Sequence, residues 1–337
     1  MNHRDNYWAV VLAAGDGRRL SELTTGSAGV PIPKQFCSLR GGPSLLQEAV
    51  RRAQVVAGRD QIAAVVAAGH RPWWREQLAA LKPENMIVQP HNRGTAVGIL
   101  LPLLQILQRD PDTRLMLLPS DHYVRDEVAL AESLRSAMKR GWSAGAGIVL
   151  LGLAPREADS ELGYIIPGRA RGVNHFAVDR FVEKPAPAMA GRLIEEGALW
   201  NAFIVAADAQ ALLKLFERRC PEVVLAMRAA LALSEPEARA QVLEQLYAQL
   251  PELDFSRHIL QGQEQDLHVM SVADCGWSDL GTPQRVADVL ENSAWSRSAN
   301  IPGSELPVLL SLADAHRRRG QASPPVRTAH TGHCMAR

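Results

Sequence analysis

The chain has 337 residues, enough to bury a large core in one big α/β domain or in two smaller lobes. Its 47% hydrophobic and 22% charged residues are ordinary for a globular protein, and 37 Lys+Arg against 36 Asp+Glu leave neither a basic field for nucleic acid nor an acidic tail. The stretch from Met1 to Trp8 lacks the apolar core of a secretory signal, and no apolar run approaches the ~20 residues of a membrane span, so a soluble, cytoplasmic protein without membrane contact is expected.

In chain order, apolar strands are predicted at Trp8–Ala13, Ile62–Ala67, Met86–Gln89, Leu115–Leu118 and Ile148–Leu153. Amphipathic helices fall between them, one through Leu45, Leu46, Ala49, Val50 and Ala53, another through Leu130, Leu134, Ala137 and Met138. Alternating β and α with continuously apolar strands implies an α/β fold, a Rossmann-like and mostly parallel central sheet flanked by helices. From Gly163 to about Val205 the pattern changes to short strands (Tyr164–Ile166, Phe176–Glu183, Phe203–Ala206), which suggests a small β-rich lobe. Asp208 to Gln249 reads as several helices, and after Trp295 the composition turns to Ser, Pro and Arg, as expected of a flexible tail.

The first strand runs into Ala14-Gly15-Asp16-Gly17-Arg18-Arg19-Leu20, and Pro33-Lys34-Gln35-Phe36 follows. Glycines let backbone N–H groups approach phosphate oxygens, and guanidinium or ammonium groups neutralise them. The segment is not a Walker loop, because no Gly-Lys-Ser/Thr follows, and Leu20 stands where a dinucleotide fingerprint has its third glycine. A plain strand-to-loop turn fits the spacing equally well; Arg19 and Lys34 favour phosphate.

Four single cysteines, Cys37, Cys220, Cys275 and Cys334, form no Cys-x-x-Cys pair, which argues against a zinc ribbon or a disulfide framework. His330, His333 and Cys334 could bind a metal in principle, but lie in the polar tail, as does the basic run His316 to Arg319; solvated chain is the plainer reading of both.

Seven further segments fall into register with that opening: Gln89-Pro-His-Asn-Arg-Gly-Thr-Ala96, Leu118-Pro-Ser-Asp-His122, Glu161-Leu-Gly-Tyr-Ile165, Phe181-Val-Glu-Lys-Pro185, Leu199-Trp-Asn-Ala-Phe203 and Gly276-Trp-Ser-Asp-Leu-Gly281, together with Pro33 to Phe36. In this order they resemble the sugar-1-phosphate nucleotidyltransferases, most closely bacterial mannose-1-phosphate guanylyltransferases, over roughly residues 8 to 292. The resemblance implies a catalytic domain at 1–292, with a nucleotide-binding part at about 1–155 and a sugar-binding and helical part at about 156–292, then a tail at 293–337. The isomerase domain fused to some members is not expected, since about 45 residues follow Asn292. If the chain associates, a homodimer is the expected assembly.

The implied reaction joins a sugar 1-phosphate to a nucleoside triphosphate, here GTP, and releases pyrophosphate with Mg2+ as cofactor. Two polyanions must meet, so cations and metal-holding carboxylates are needed rather than a triad. By resemblance Arg19, Lys34, Asp121, Lys184 and Asp279 form the catalytic set, and Asp121 and Asp279 hold the metal. Mg2+ takes one or two carboxylates plus phosphate oxygens, so two distant aspartates suffice; a cap or turn aspartate is the lesser alternative for each. Leu12, Ala14, Gly15, Gly17 and Arg18 would line the triphosphate, with Lys34 at the α-phosphate or the sugar phosphate.

Gln89, Gly94 and Thr95 match base-recognising positions, although Thr95 could equally cap the helix that follows. Gly163, Glu183 and Asn201 match sugar-contacting positions, with Lys184 at the sugar phosphate. The chain departs from the family at Arg18, usually threonine, at Ala14, across Ser21 to Ile32, and at Ala202-Phe203, where a small residue and glycine are usual. Another sugar and nucleotide pair is therefore an alternative, as is a nucleotide-sugar-binding regulator without turnover. Cytidylyltransferases of isoprenoid synthesis share Pro-Lys-Gln-Phe, but they are shorter and predict neither Phe181 to Pro185 nor Gly276 to Asp279.

Overall fold

Strand β1 (Tyr7–Ala13) sends successive side chains to opposite faces of a sheet. Ala9, Val11 and Ala13 enter one hydrophobic core, and Trp8 and Val10 enter another on the far side. Strand β2 (Ile62–Ala67) divides the same way, Ile62, Ala64 and Val66 against Ala63 and Val65, so both faces of the sheet are covered. A computed structural model describes residues 6–25, 29–39, 41–140 and 147–291. The predicted tail, with His316 to Arg319, His330, His333 and Cys334, lies outside the described residues.

The remaining strands are β3 (Met86–Gln89), β4 (Arg114–Pro119), β5 (Ile148–Leu153), β6 (Gly163–Gly172), β7 (His175–Glu183), β8 (Leu199–Asp208) and β9 (Leu267–Ser271). They form one nine-stranded sheet in the order β3-β2-β1-β4-β8-β5-β9-β7-β6. Pairings within β3-β2-β1-β4 are all parallel; β8 enters antiparallel to β4 and β5, and β9 runs parallel to β5. The chain builds outward from β1 through β2 and β3, then returns to place β4 on the other side of β1. That reversal opens a crevice at the carboxyl ends of β1 and β4, the position where open α/β sheets bind ligands.

Local sequence fixes the helices around it. Ser44 caps the Leu45–Ala53 helix in a box with Gln47, and Ala49 and Ala53 pack beneath β1. The Gly94–Arg109 helix is buried along most of its length, from Ala96 through Leu104 to Ile106, against the face carrying Val10 and Val65. Each such Leu or Ile contributes about 1.5–3 kcal/mol of hydrophobic stabilisation. A third core of Leu20, Leu23, Cys37, Leu39, Leu45, Tyr123, Leu280 and Val286 lies under the loops at the crevice, joining segments far apart in sequence. No described helix is long and apolar enough to cross a membrane.

Candidate active site

At the carboxyl ends of β1 and β4 lies a cleft of 570 Å3, within the range of about 300–1,000 Å3 usual for small-ligand sites. Leu12, Ala14, Gly15, Gly17 and Arg19 line it from the first loop, and Gln89, Gly94 and Thr95 from the segment after β3. Asp121 and Asp279 reach it from two further loops, and Gly163, Glu183, Lys184 and Asn201 from β6, β7 and β8. Of the residues singled out in the sequence, Lys34 sits beneath the wall rather than on it, and the Arg18 side chain lies outside the described set. The sequence reading gave no role to Gln35, Glu161 and Phe203, although each lies within one of its motifs, nor to Glu252, Asp254, Ser256 and His258, which fall in none; all seven line the cleft.

The glycine loop is clamped from below. Buried Gln35 donates its amide hydrogens to the carbonyls of Ala13 at 3.1 Å and Gly15 at 2.7 Å. Gly17 has φ 63°, and a Cβ there would lie 2.9 Å from the Lys34 backbone nitrogen, so the close approach of the two segments requires glycine. Arg19 stands at the loop's rim with 57% of its side chain exposed, in a loose 3.4 Å pair with Glu161, and can swing toward a polyanion at little cost.

Beneath the floor, the Lys34 ammonium has three acceptors: Asp121 Oδ2 at 3.0 Å, the Asp279 carbonyl at 2.6 Å and the Leu280 carbonyl at 3.3 Å. The ammonium thus ties two loops together, because a buried ammonium must satisfy its donors. Burial pushes the Asp121 carboxyl up, but the Lys34 ammonium and the neighbouring His122 more than reverse this and hold it below its ordinary range. Burial drives His122 down to about 4 against the pull of Asp121, so the ring is neutral at pH 7; Trp277 Nε1 donates to its Nδ1 at 3.2 Å. Arg52, buried and paired with Glu127 at 2.7 Å, donates to the His122 carbonyl and fixes this loop.

Asp279 is enclosed. Burial raises its carboxyl above the ordinary value, while Lys34, the Gly281 amide and Arg19 pull the other way without reversing it. Arg285 Nη1 donates to Asp279 Oδ1 at 2.7 Å, and the same guanidinium pairs with Asp159 and Glu157. The two aspartates therefore differ in their fitness for a divalent cation. Asp121 lines the cleft with 37% of its side-chain surface open, has Lys34 on Oδ2 and has His122 Nε2 no nearer than 3.7 Å to Oδ1. Asp279 offers 9% and has Arg285 on one oxygen. Among the described residues no cluster of three or more metal-binding side chains exists.

At the end near β3, Gly94 has φ 82°, and a Cβ there would meet the Leu253 carbonyl at 2.3 Å. Thr95 does not cap its own helix: Arg93 holds the cap position, and Thr95 Oγ1 accepts from the Phe255 amide at 2.8 Å. That contact seats a π-helical turn, Phe255–Leu260, which carries Ser256 and His258 to the cleft. Gln89 is buried, and its side-chain oxygen has no protein partner.

At the opposite end, β6 pairs Gly163 with Glu183 across the strands. Burial, with Asp254 nearby, pushes the Glu183 carboxyl up to about 7. Asn201 accepts from the Phe203 amide at 3.0 Å and so supports the kink that aims Phe203 inward. Lys184, Phe203 and Leu280 all adopt the left-handed backbone region, with φ of 48°, 55° and 51°. For residues with a Cβ this is a strained conformation, costing of order 1–3 kcal/mol, and the three positions border the same cleft or the Asp279 turn.

Residues 8–294 match the model of the nucleotidyl transferase family. Among curated relatives, a mannose-1-phosphate guanylyltransferase of Salmonella muenchen is 29% identical over 83% of this chain and 59% of its own length. Xanthan biosynthesis protein XanB of Xanthomonas campestris pv. campestris is 31% identical over 84% of this chain and again 59% of its own length, so the chain spans less than two thirds of either relative. Among solved structures, the mannose-1-phosphate geranyltransferase of Thermus thermophilus superposes with a TM-score of 0.73 at 28% identity, covering 86% of this chain and 80% of that one. The chain belongs to the nucleotidyl transferase family.

Proposed function

We propose that this nucleotidyl transferase moves a nucleotidyl group from a nucleoside triphosphate, GTP, to a sugar 1-phosphate, mannose 1-phosphate, and releases pyrophosphate. The observation that carries the reading is a single cleft whose wall joins the glycine loop and Arg19 to Asp121 at one end of the sheet and to Glu183, Lys184 and Asn201 at the other. Two anionic substrates can lie end to end in it. A relative's name supplies the particular pair, and buried Gln89, whose oxygen lacks a donor, suits a base that presents N–H groups.

In the reaction an oxygen of the sugar phosphate attacks the α-phosphorus in line; the new P–O bond forms as the α–β bridge breaks and pyrophosphate leaves with the electron pair. The nucleophile is already an anion near pH 7, so no base is required. The glycine-loop amides and Arg19 hold the leaving phosphates and take up charge as it develops there. Lys34 keeps Asp121 and the Asp279 turn in register. Lys184 neutralises the sugar phosphate, and Glu183, Asn201 and Gly163 orient the ring's hydroxyls. A divalent cation, Mg2+, would sit at Asp121 and supply charge neutralisation on the phosphates.

Pyrophosphate release measured for four nucleoside triphosphates against a panel of sugar 1-phosphates tests the reading. GTP with mannose 1-phosphate should be the fastest pair. A different fastest pair overturns the substrate assignment alone, and no release with any pair overturns the reaction.

A further inference from the structure

The two aspartates at the cleft differ in what already occupies them. Asp279 Oδ1 accepts from Arg285 Nη1 at 2.7 Å, and its other oxygen packs so tightly on Gly281 that a Cβ there would lie 2.3 Å from it. The guanidinium is no passing surface group. Its other nitrogen pairs with Asp159 and with Glu157, and only 16% of the side chain is exposed. Three carboxylates around one guanidinium hold it firmly, since any two would repel if it left. Arg285, on the Pro283–Glu291 helix, lines a second cavity of 140 Å3 together with Asp279. By contrast the Asp121 side chain, paired with Lys34 through Oδ2, lines the main cleft with 37% of its surface open.

We propose that Arg285 is a built-in cation on Asp279, so that the protein holds a divalent ion in the cleft through Asp121 alone. One carboxylate is enough for Mg2+, which otherwise keeps waters and takes phosphate oxygens. Arg285 is thus a positioning residue. It supplies a fixed positive charge at the Asp279 turn and, through Asp159, ties that turn to the loop bearing Glu161, the partner of Arg19.

The inference rests on the nucleotidyl-transfer reading of the cleft, and Mn2+ binding followed by electron paramagnetic resonance, with and without GTP, tests it separately from activity. Asp121→Asn should weaken Mn2+ binding by about tenfold or more, whereas Asp279→Asn should change it by less than about twofold. Arg285→Ser, with its fold checked by circular dichroism, should tighten Mn2+ binding and make it sensitive to Asp279→Asn. Equal weakening by Asp121→Asn and Asp279→Asn in the otherwise unaltered chain would overturn the proposal and needs no change at Arg285. An affinity unmoved by Arg285→Ser would overturn it as well. A protein that releases pyrophosphate but holds Mn2+ through Asp279 refutes this inference and spares the function; one that releases no pyrophosphate and binds no Mn2+ refutes both.

Discussion

The turn carrying Asp121 and the turn carrying Asp279 meet across one buried ammonium, yet they present their carboxylates oppositely. Asp121 follows a parallel strand of the central sheet, stays open to the cleft and is held below its ordinary pKa by Lys34 and His122 after burial is overcome. Asp279 lies on a turn between β9 and the last described helix, is shut in by Gly281 and Arg285, and is raised by burial. The same side chain is therefore an open anion at one turn and an enclosed, Arg285-paired one at the other. Residue type names neither role; the surrounding cations and the exposure decide it.

The sharpest way to break this contrast is to neutralise each carboxylate in turn. Asp121→Asn should lower kcat/KM for pyrophosphate release by about 10³-fold, equivalent to about 4 kcal/mol, and Asp279→Asn by about 10- to 100-fold, with circular dichroism unchanged in both. The reverse ranking would contradict it. Lys34 serves both turns, so Lys34→Met should leave three acceptors without a donor and cost about 3 kcal/mol in urea denaturation. A loss confined to activity would show that the ammonium belongs to the substrate instead.

Smaller effects sharpen the picture at the cleft's two ends. Gly17→Ala puts a Cβ against the Lys34 backbone at positive φ and should cost about 1–2 kcal/mol while raising the KM for nucleotide. Glu183 shows how burial without an adequate cation reads out in pH. Its carboxyl titrates near 4.5 when unfolded and about 7 when folded. Between those values the folded chain keeps a proton that the unfolded chain releases, so stability falls as pH rises through the window. Glu183→Gln should flatten that slope in melting temperature, and a slope unchanged by the substitution would contradict the assignment.

Much of the parallel half was legible beforehand. Ile62–Ala67, Met86–Gln89 and Ile148–Leu153 form strands with the predicted bounds because their apolar runs are continuous and end at polar or turn residues. Strand β9 (Leu267–Ser271) was not foreseen: five residues including His268 and Ser271 carry too little pattern to separate it from a loop. The β6 and β7 strands run beyond the predicted bounds, and polar, exposed positions there hide the pairing. At the cleft, the motif residues came together because each sits at a strand end or a sharp turn, where local sequence sets the backbone. Arg285 was invisible for the opposite reason. Its partners Asp279 and Asp159 lie 6 and 126 residues away, and only the folded sheet brings the second within reach.

The account stands or falls on which phosphorus is attacked. GTP labelled at the α-phosphate, incubated with mannose 1-phosphate and the protein, should place the label in a nucleotide-sugar product and leave the released pyrophosphate unlabelled. Label that stays in free GTP or GMP, or phosphate passed from the γ position to the sugar, would contradict it.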